Sequence, residues 1–259
     1  MFSKYLKKQA FTLAEGTTHV AMPPVFSKAG FTLAEVLITL GIIGVVAAMT
    51  IPTLIANTNG QKFRTQFKKT LSTLNQAGRM SLAQYDYTFT DAGSIEKDCK
   101  TDNPEQDMTF CAVINGTLKG TTYVSYLNDL KINSKGNKYK ATVMGYEENY
   151  FSPAWLLADG SMFSISGYGQ NANIKDGVFG FIDVNGPSLP NKEVTCTNAT
   201  TVYLGDFHGG WDPKALNKLE PCVVKNDVNH MTDIFPVFIY GNTVVPASNA
   251  AQYVLQSAK

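Results

Sequence analysis

Hydrophobic and polar positions divide the chain into three consecutive patterns. From Val36 to Ile55 twenty residues carry no charge, and a helix of that length covers about 30 Å, the thickness of a bilayer core. Apolar side chains then recur at three- and four-residue steps along residues 56–87, which predicts an amphipathic helix with one buried face. From residue 88 onward short apolar runs alternate with turn residues, which predicts strands and loops.

The predicted elements are one hairpin turn, one buried helix face and seven strands. Asp159-Gly160 separates two of the apolar runs and predicts a hairpin with a two-residue type I′ turn. The buried face of the amphipathic helix is predicted to contain Phe63, Phe67, Leu71, Leu74, Ala77, Gly78, Leu82 and Tyr85. The predicted strands are Thr121–Leu127, Ala141–Tyr146, Ala154–Ala158, Ser161–Ser166, Gly177–Val184, Thr200–Leu204 and Asp233–Tyr240.

The distribution of charge predicts how the apolar segment is oriented in a membrane, and the net charge limits the classes of partner that we expect. Before Phe31 stand four lysines and one acid, Glu15. The positive-inside rule therefore places the N-terminus in the cytoplasm and the body of the chain outside. The net charge of +1 gives no indication of a nucleic-acid partner. A cleaved signal peptide is disfavoured because Ile51–Ile55 offers no small-residue cleavage site, whereas a simple single-span anchor stays open.

Glu35 is the residue that a simple anchor does not explain. It lies five residues into the segment that begins at Phe31, and a carboxylate near a membrane interior costs on the order of 2–3 kcal/mol or more. If the chain were cut after Gly30, Phe31 would gain a free α-amine. That amine on one subunit could pair with Glu35 on a neighbouring subunit and set the register between them.

The sequence Lys28-Ala29-Gly30-Phe31-Thr32-Leu33-Ala34-Glu35 resembles the cleavage and methylation motif of type IV prepilins. The resemblance covers residues 28–55. It implies cleavage after Gly30 by prepilin peptidase, N-methylation of Phe31 and a role for Glu35 in assembly. Pro52 also stands where helices of this family often carry a proline.

The same resemblance implies the fold class and the organisation of the chain. The expected fold is α+β, with a long N-terminal helix whose second half packs on an antiparallel β-sheet. The expected segments are a leader over 1–30, an assembly helix over 31–55, its amphipathic continuation over 56–87 and an extracytoplasmic β-rich domain over 88–259. The leader starts at Met1 or at Met22, and the sequence does not decide between them.

Four cysteines follow the apolar segment, which is typical of disulfides in an oxidising compartment. Four cysteines allow three pairings, and the sequence does not choose among them. We favour the two local pairs, Cys99 with Cys111 and Cys196 with Cys222, because each closes a segment rich in turns. Unpaired buried thiols are the alternative.

No arrangement of residues typical of catalysis is present in the sequence, so we expect no enzymatic activity and no required cofactor. His208 and Trp211 occur in one polar loop region, where a metal or sugar site is a less favoured alternative to an ordinary surface loop.

Asp183-Val184-Asn185-Gly186 begins like a calcium loop, with alternating oxygen side chains followed by a glycine. An ordinary turn is the simpler alternative, because Asn-Gly favours turns by itself. Calcium binding by Asp183, Asn185 and Asp233 would require the segment around Asp233 to lie beside this loop.

Three functions remain from the sequence. The first is a major or minor structural subunit of a type IV pilus-like filament, with prepilin peptidase, other pilin copies, the inner-membrane assembly machinery and the membrane as partners. The second is a pseudopilin of a type II secretion system. The third is a membrane-anchored extracellular binding module that uses the Trp211 loop. The expected location is a single-pass membrane protein, followed by a cell-surface or periplasmic filament.

Overall fold

The computed structural model describes residues 30–92, 95, 99, 102–103, 105, 108–132, 136–167, 174–205, 220–225 and 231–257. These residues form an α+β structure in which a long N-terminal helix precedes a six-stranded antiparallel sheet. The chain divides into two compact units between Val46 and Ala47. The helices are α1 (Leu33–Tyr85), α2 (Phe110–Thr117) and α3 (Asn249–Gln256). The strands are β1 (Thr122–Val124), β2 (Thr142–Val143), β3 (Tyr146–Glu147), β4 (Phe151–Leu156), β5 (Met162–Ser166), β6 (Val178–Asp183), β7 (Ile234–Tyr240) and β8 (Thr243–Pro246).

Helix α1 contains both predicted helical segments. It is continuous through Pro52 and through the polar residues 57–60. Its buried face agrees with the predicted stripe from Phe63 to Gly78, but one turn later Ser81 is buried and Leu82 is 40% exposed. The prediction for Leu82 was therefore wrong. The Ser81 hydroxyl donates to the carbonyl of Tyr87, so a small polar side chain is satisfied where the chain leaves the helix.

The main sheet has the strand order β1-β4-β5-β6-β7-β8, and every neighbouring pair is antiparallel. Successive side chains of a strand point to opposite faces, and strands β6 and β7 are buried on both faces. On one face Phe67 of α1 stacks on Phe235 of β7, with ring centroids 4.3 Å apart. On the other face a second apolar cluster packs beneath the small β2–β3 hairpin and includes Val143, Phe151 and Phe181.

Close approach of α1 to the sheet depends on one glycine. A Cβ atom at Gly78 would overlap the backbone carbonyl of Asn242, in the turn between β7 and β8, and the ring of Phe89. Glycine is therefore required at this position for packing and not for an unusual backbone angle. This contact brings the C-terminal half of α1 against the end of the sheet.

The predicted turn between β4 and β5 was wrong in type. A hairpin is present, but the Leu157 N–H donates to the Ser161 carbonyl at 2.8 Å, and Gly160 N–H donates to the Leu157 carbonyl at 3.0 Å. Only Gly160 has a positive φ, +86°, which is typical of a three-residue hairpin loop. The Asp159 side chain accepts from the Ser161 N–H and hydroxyl, so its role here is to stabilise the loop.

Four predicted strands were wrong in extent or existence. Thr121–Leu127 is a strand only over Thr122–Val124, because a 3₁₀ helix begins at Leu127, and Ala154–Ala158 is observed as Phe151–Leu156. Ala141–Tyr146 is split by a turn in which Met144 and Gly145 both have positive φ, the arrangement of a type I′ turn, and β2 and β3 lie on either side. Thr200–Leu204 forms no strand and makes an isolated bridge at Tyr203. The Tyr203 hydroxyl instead donates to Glu193 at 2.7 Å, which fixes that segment through a side chain.

Candidate functional site

The proposed cleavage site lies in an exposed, non-helical segment directly before α1. Gly30, Phe31 and Thr32 precede the first helical residue, Leu33. Among the described residues other than its chain neighbour, no atom lies within 4 Å of the position that a Cβ atom on Gly30 would occupy, and Phe31 is 87% exposed. A peptidase that must reach the Gly30–Phe31 bond therefore meets no steric obstacle from the described residues.

Thr32 and Glu35 form a capping box at the start of α1. The Thr32 hydroxyl accepts from the Glu35 N–H at 3.2 Å, and Glu35 Oε2 accepts from both the N–H and the hydroxyl of Thr32, each at 2.8 Å. The arrangement satisfies backbone donors that a helix N-terminus leaves free. Sequence reasoning assigned Glu35 to assembly and missed Thr32, although Thr-x-x-Glu before an apolar run is a recognised capping signature.

The apolar segment of α1 (residues 31–55) exposes nearly all of its side chains. Every residue in it is exposed except Ala47, which is partly buried. An 18-residue window of the helix has a mean hydropathy of 2.2 and is unburied, so by length and composition the helix can cross a membrane. Glu35 is the only charged residue of the segment. Such a surface requires an apolar environment that the described residues do not supply.

A second site lies where β6 ends and β7 begins. Asp183 pairs with Ile234 in the ladder, and the Val184 N–H donates to the Asp233 carbonyl at 3.0 Å. The two acidic segments are therefore adjacent, which is the juxtaposition that a calcium site required. We call Asp183, Asn185, Asn191 and Asp233 the acid–amide cluster.

Both carboxylates of the acid–amide cluster are fully buried and accept hydrogen bonds. Asp183 accepts from the Tyr139 hydroxyl at 2.8 Å and from the Asn185 N–H at 3.3 Å. Asp233 accepts from the N–H groups of Asn191 and Lys192 at 2.9 and 2.7 Å. Each carboxylate oxygen thus accepts at least one hydrogen bond from the protein.

Burial raises the pKa of both acids. The pKa of Asp183 lies well above its ordinary value, first because of desolvation and then because the Asp233 carboxylate lies nearby. Desolvation raises the pKa of Asp233 to about 6 against the opposing effect of its hydrogen bonds from Lys192, Asn191 and Asn185. The protein therefore holds two neighbouring carboxylates where negative charge is costly.

Sequence reasoning missed two residues of this region, Tyr139 and Asn191. Both polar atoms of the Asn191 side chain are buried without a hydrogen-bond partner, and so is Oδ1 of Asn185. No local sequence pattern predicts either residue, because each reaches the cluster through a tertiary contact. Across the ranges that the structure describes, no three His, Cys, Asp or Glu side chains form a group able to hold a metal.

Two disulfides join Cys99 to Cys111 and Cys196 to Cys222, the two local pairs favoured from the sequence. The first ties the segment before α2 to the core, where both cysteines are buried. Beside the second, the Asn249 side-chain amide donates to the carbonyls of Thr200 and Glu220. His208 and Trp211 lie outside the described residues, so the sugar-binding alternative has no structural description.

Comparison with known proteins agrees with the N-terminal geometry. Residues 26–51 match the family model described as the prokaryotic N-terminal methylation motif. No curated protein and no solved structure matches the chain. The match shows a prepilin-type methylation motif over 26 of the 259 residues, at the start of a chain whose fold, a long apolar helix and a six-stranded antiparallel sheet, is pilin-like. Proteins with this motif are in general processed by prepilin peptidase and assembled into filaments, and they are typically structural.

Proposed function

We propose that this protein is a structural subunit of a type IV pilus-like filament, major or minor. In this proposal prepilin peptidase cuts the chain after Gly30, Phe31 is N-methylated and Glu35 directs assembly. The observation that carries it is the exposed apolar segment over residues 31–55, which overlaps the methylation motif and contains one charged residue, Glu35. A surface of this kind is stable in lipid and, once extracted from lipid, requires equally apolar neighbours.

The geometry at Glu35 supports a contact between subunits. Both donors from Thr32 act on Oε2 of the carboxylate, and Oε1 has no donor among the described residues. A methylated α-amine on Phe31 of a neighbouring subunit would supply the missing positive charge. Because an unpaired charge in an apolar bundle is costly, the pair would allow only registers that bring the two groups together.

The remaining segments have consistent roles in this proposal. Residues 1–30 are the leader, 31–55 anchor the subunit in the membrane and later pack in the filament core, and 56–87 attach that helix to the domain over 88–259. The buried contacts of Phe63 and Phe67 with the sheet support this attachment. The subunit therefore starts as a single-pass membrane protein with an extracytoplasmic domain.

Filament isolation tests the proposal. Fibres sheared from the cell surface, or collected from the periplasm, are expected to contain the chain with Phe31 as its first residue. A deletion strain that keeps its fibres but loses exoprotein secretion would favour the type II secretion pseudopilin. An unprocessed chain found only as a membrane-anchored monomer would overturn both filament functions and favour a surface-exposed binding module.

A further inference from the structure

We propose that the acid–amide cluster binds one Ca²⁺ through the side-chain oxygens of Asp183, Asn185, Asn191 and Asp233. The proposal does not depend on the filament role of the protein. It rests on the placement of these four side chains and on the hydrogen bonds that they lack.

The first argument is charge. Asp183 ends β6 and Asp233 directly precedes β7, and both are fully buried. No lysine or arginine of the described ranges forms an ion pair with either. Buried carboxylates are normally paired with a cationic side chain or coordinated to a metal. Neither of these two carboxylates has a cationic side chain as a partner among the described residues, and one divalent cation would neutralise both.

The second argument is the unused oxygen atoms. The Oδ1 atoms of Asn185 and Asn191 are buried and have no hydrogen-bond donor, although buried polar atoms are satisfied in the large majority of cases. Asn191 is only 6% exposed, and its own N–H donates to Asp233, so its side chain begins next to that carboxylate. Each carboxylate oxygen accepts at least one hydrogen bond from the protein, and in the proposed site the cation takes lone pairs that remain.

The third argument is the kind of donor. All the available atoms are carboxylate or amide oxygens, which suit hard cations, and calcium accepts six to eight oxygen ligands in irregular geometry. Magnesium demands a near-ideal octahedron and retains its waters, so a mixed set of carboxylates and amides favours calcium. The cluster contains neither sulfur nor imidazole, the ligands that favour zinc.

The fourth argument is access. A groove of about 400 Å³ is lined by residues 140–142, by Glu147 and Glu148, and by residues 190–192, so that its charged lining side chains are two glutamates and two lysines. Asn191 lines this groove and also belongs to the acid–amide cluster, so the groove lies beside the cluster. In the proposed site the ion enters from the groove and completes its coordination shell with waters there. Extracytoplasmic calcium is plentiful, so an affinity of about 10⁻⁴–10⁻³ M suffices there.

Direct binding tests the proposal on the full chain purified in detergent. Equilibrium dialysis with radioactive calcium is expected to find one ion per chain. At a free calcium concentration of ten times Kd, mass action raises the folding equilibrium constant about elevenfold, which corresponds to a rise in Tm of about 3–6 °C relative to chelator. Magnesium at the same concentration is expected to give a smaller shift.

Variants distinguish calcium binding by the acid–amide cluster from a general effect of removing a negative charge. Asp183→Asn is expected to weaken calcium binding by at least about tenfold, whereas Asp176→Asn, an exposed acid in the turn before β6, should leave it unchanged. If Asp183→Asn fails to fold, Asn185→Ala and Asn191→Ala test the same prediction without a change of charge. The absence of bound calcium in the unaltered protein, equal Tm values with calcium and chelator, or undiminished binding in these variants would overturn the proposal.

Discussion

The side chain of Asn75 on α1 holds the outer edge of β8 through the backbone of Val244. Asn75 Nδ2 donates to the Val244 carbonyl at 2.8 Å, and Asn75 Oδ1 accepts from the Val244 N–H at 2.9 Å. Strand β8 is the last strand of the sheet, and Val244 lies opposite Ile239 on its inner side. One amide thus satisfies both backbone groups that an edge strand would otherwise leave for another chain to pair with.

We predict that Asn75→Ala lowers the free energy of unfolding by about 1–3 kcal/mol, because it leaves a partly buried donor and acceptor unpaired. Asn57→Ala, an exposed asparagine of the same helix, serves as the control and is expected to change it by less than about 0.5 kcal/mol. Thermal and denaturant unfolding of both proteins in the same detergent measure the difference. Equal stability of the two variants would mean that the edge of β8 does not depend on this amide.

A second prediction concerns the scissile bond. Gly30→Leu should leave the precursor uncut, because a bulky side chain next to the bond obstructs the peptidase, while the helix that starts at Leu33 is unaffected. Intact-mass spectrometry of the membrane fraction measures cleavage, and the same spectrum of the unaltered chain should show a methyl group on Phe31. Normal processing of Gly30→Leu, or a mature N-terminus at another residue, would contradict the assignment.

Glu35 caps the N-terminus of α1 and, in the proposed function, pairs with an amine on a neighbouring subunit. Substitutions can separate these two roles. Glutamine can form the same capping box as glutamate but carries no charge. We therefore predict that Glu35→Gln and Glu35→Ala are both inserted and cleaved, since loss of charge favours membrane insertion, and that neither assembles. The loss of the pair should cost about 3–5 kcal/mol per contact, because it leaves the neighbouring amine uncompensated.

Filament yield from the two Glu35 variants is measured by shearing and immunoblotting, with insertion and cleavage as internal controls. If Glu35→Gln assembled normally and Glu35→Ala did not, the residue would serve the helix N-terminus and not a neighbouring subunit. Thr32→Val tests the same point from the other side: it removes the cap but keeps the charge, so assembly should persist.

The two disulfides should differ in what their removal costs. Loop closure alone gives each about 3 kcal/mol, and slightly more for Cys196–Cys222, whose separation is 26 residues against 12 for Cys99–Cys111. However, Cys99 and Cys111 are both buried in the main core, whereas Cys196 is only partly buried. We therefore predict that replacing the first pair by alanine lowers stability more than replacing the second.

Denaturant unfolding of the two paired alanine variants gives the comparison, and peptide mapping without reductant verifies the disulfide that remains in each. A larger loss from Cys196→Ala/Cys222→Ala would show that loop closure outweighs packing in this domain. Mixed pairing in the unaltered protein, such as Cys99 with Cys222, would contradict the connectivity of the structure.

Sequence reasoning was most successful where neighbours along the chain decide the outcome. The amphipathic stripe from Phe63 to Gly78 follows from a period of 3.6 residues, whereas the apolar segment and the central strands β5, β6 and β7 follow from continuous apolar runs of different length. The favoured disulfides agree with the structure because both join segments that are close in sequence. Helices α2 and α3 were missed, since each is only eight residues long and both are stabilised mainly by burial.

The turn types could not be predicted from local sequence signals alone. Asp-Gly predicted a type I′ turn at Gly160, yet the structure has that turn at Met144-Gly145, where a methionine accepts a positive φ. The Met144 N–H donates to Glu193, a residue far along the chain, at 2.7 Å. A tertiary hydrogen bond therefore holds a backbone conformation that methionine does not prefer by itself.

By itself the sequence determined the membrane-length helix, its lone acid Glu35 and the motif that precedes it, because length, hydropathy and covalent order are local properties. Only the tertiary structure decided that Asn191 and Tyr139 lie against Asp233 and Asp183. Residues far apart in sequence meet there because the β6–β7 ladder aligns two strand ends. Some polar atoms remain without partners once such strands are packed. Their identity depends on the whole tertiary arrangement and not on any one segment of the chain.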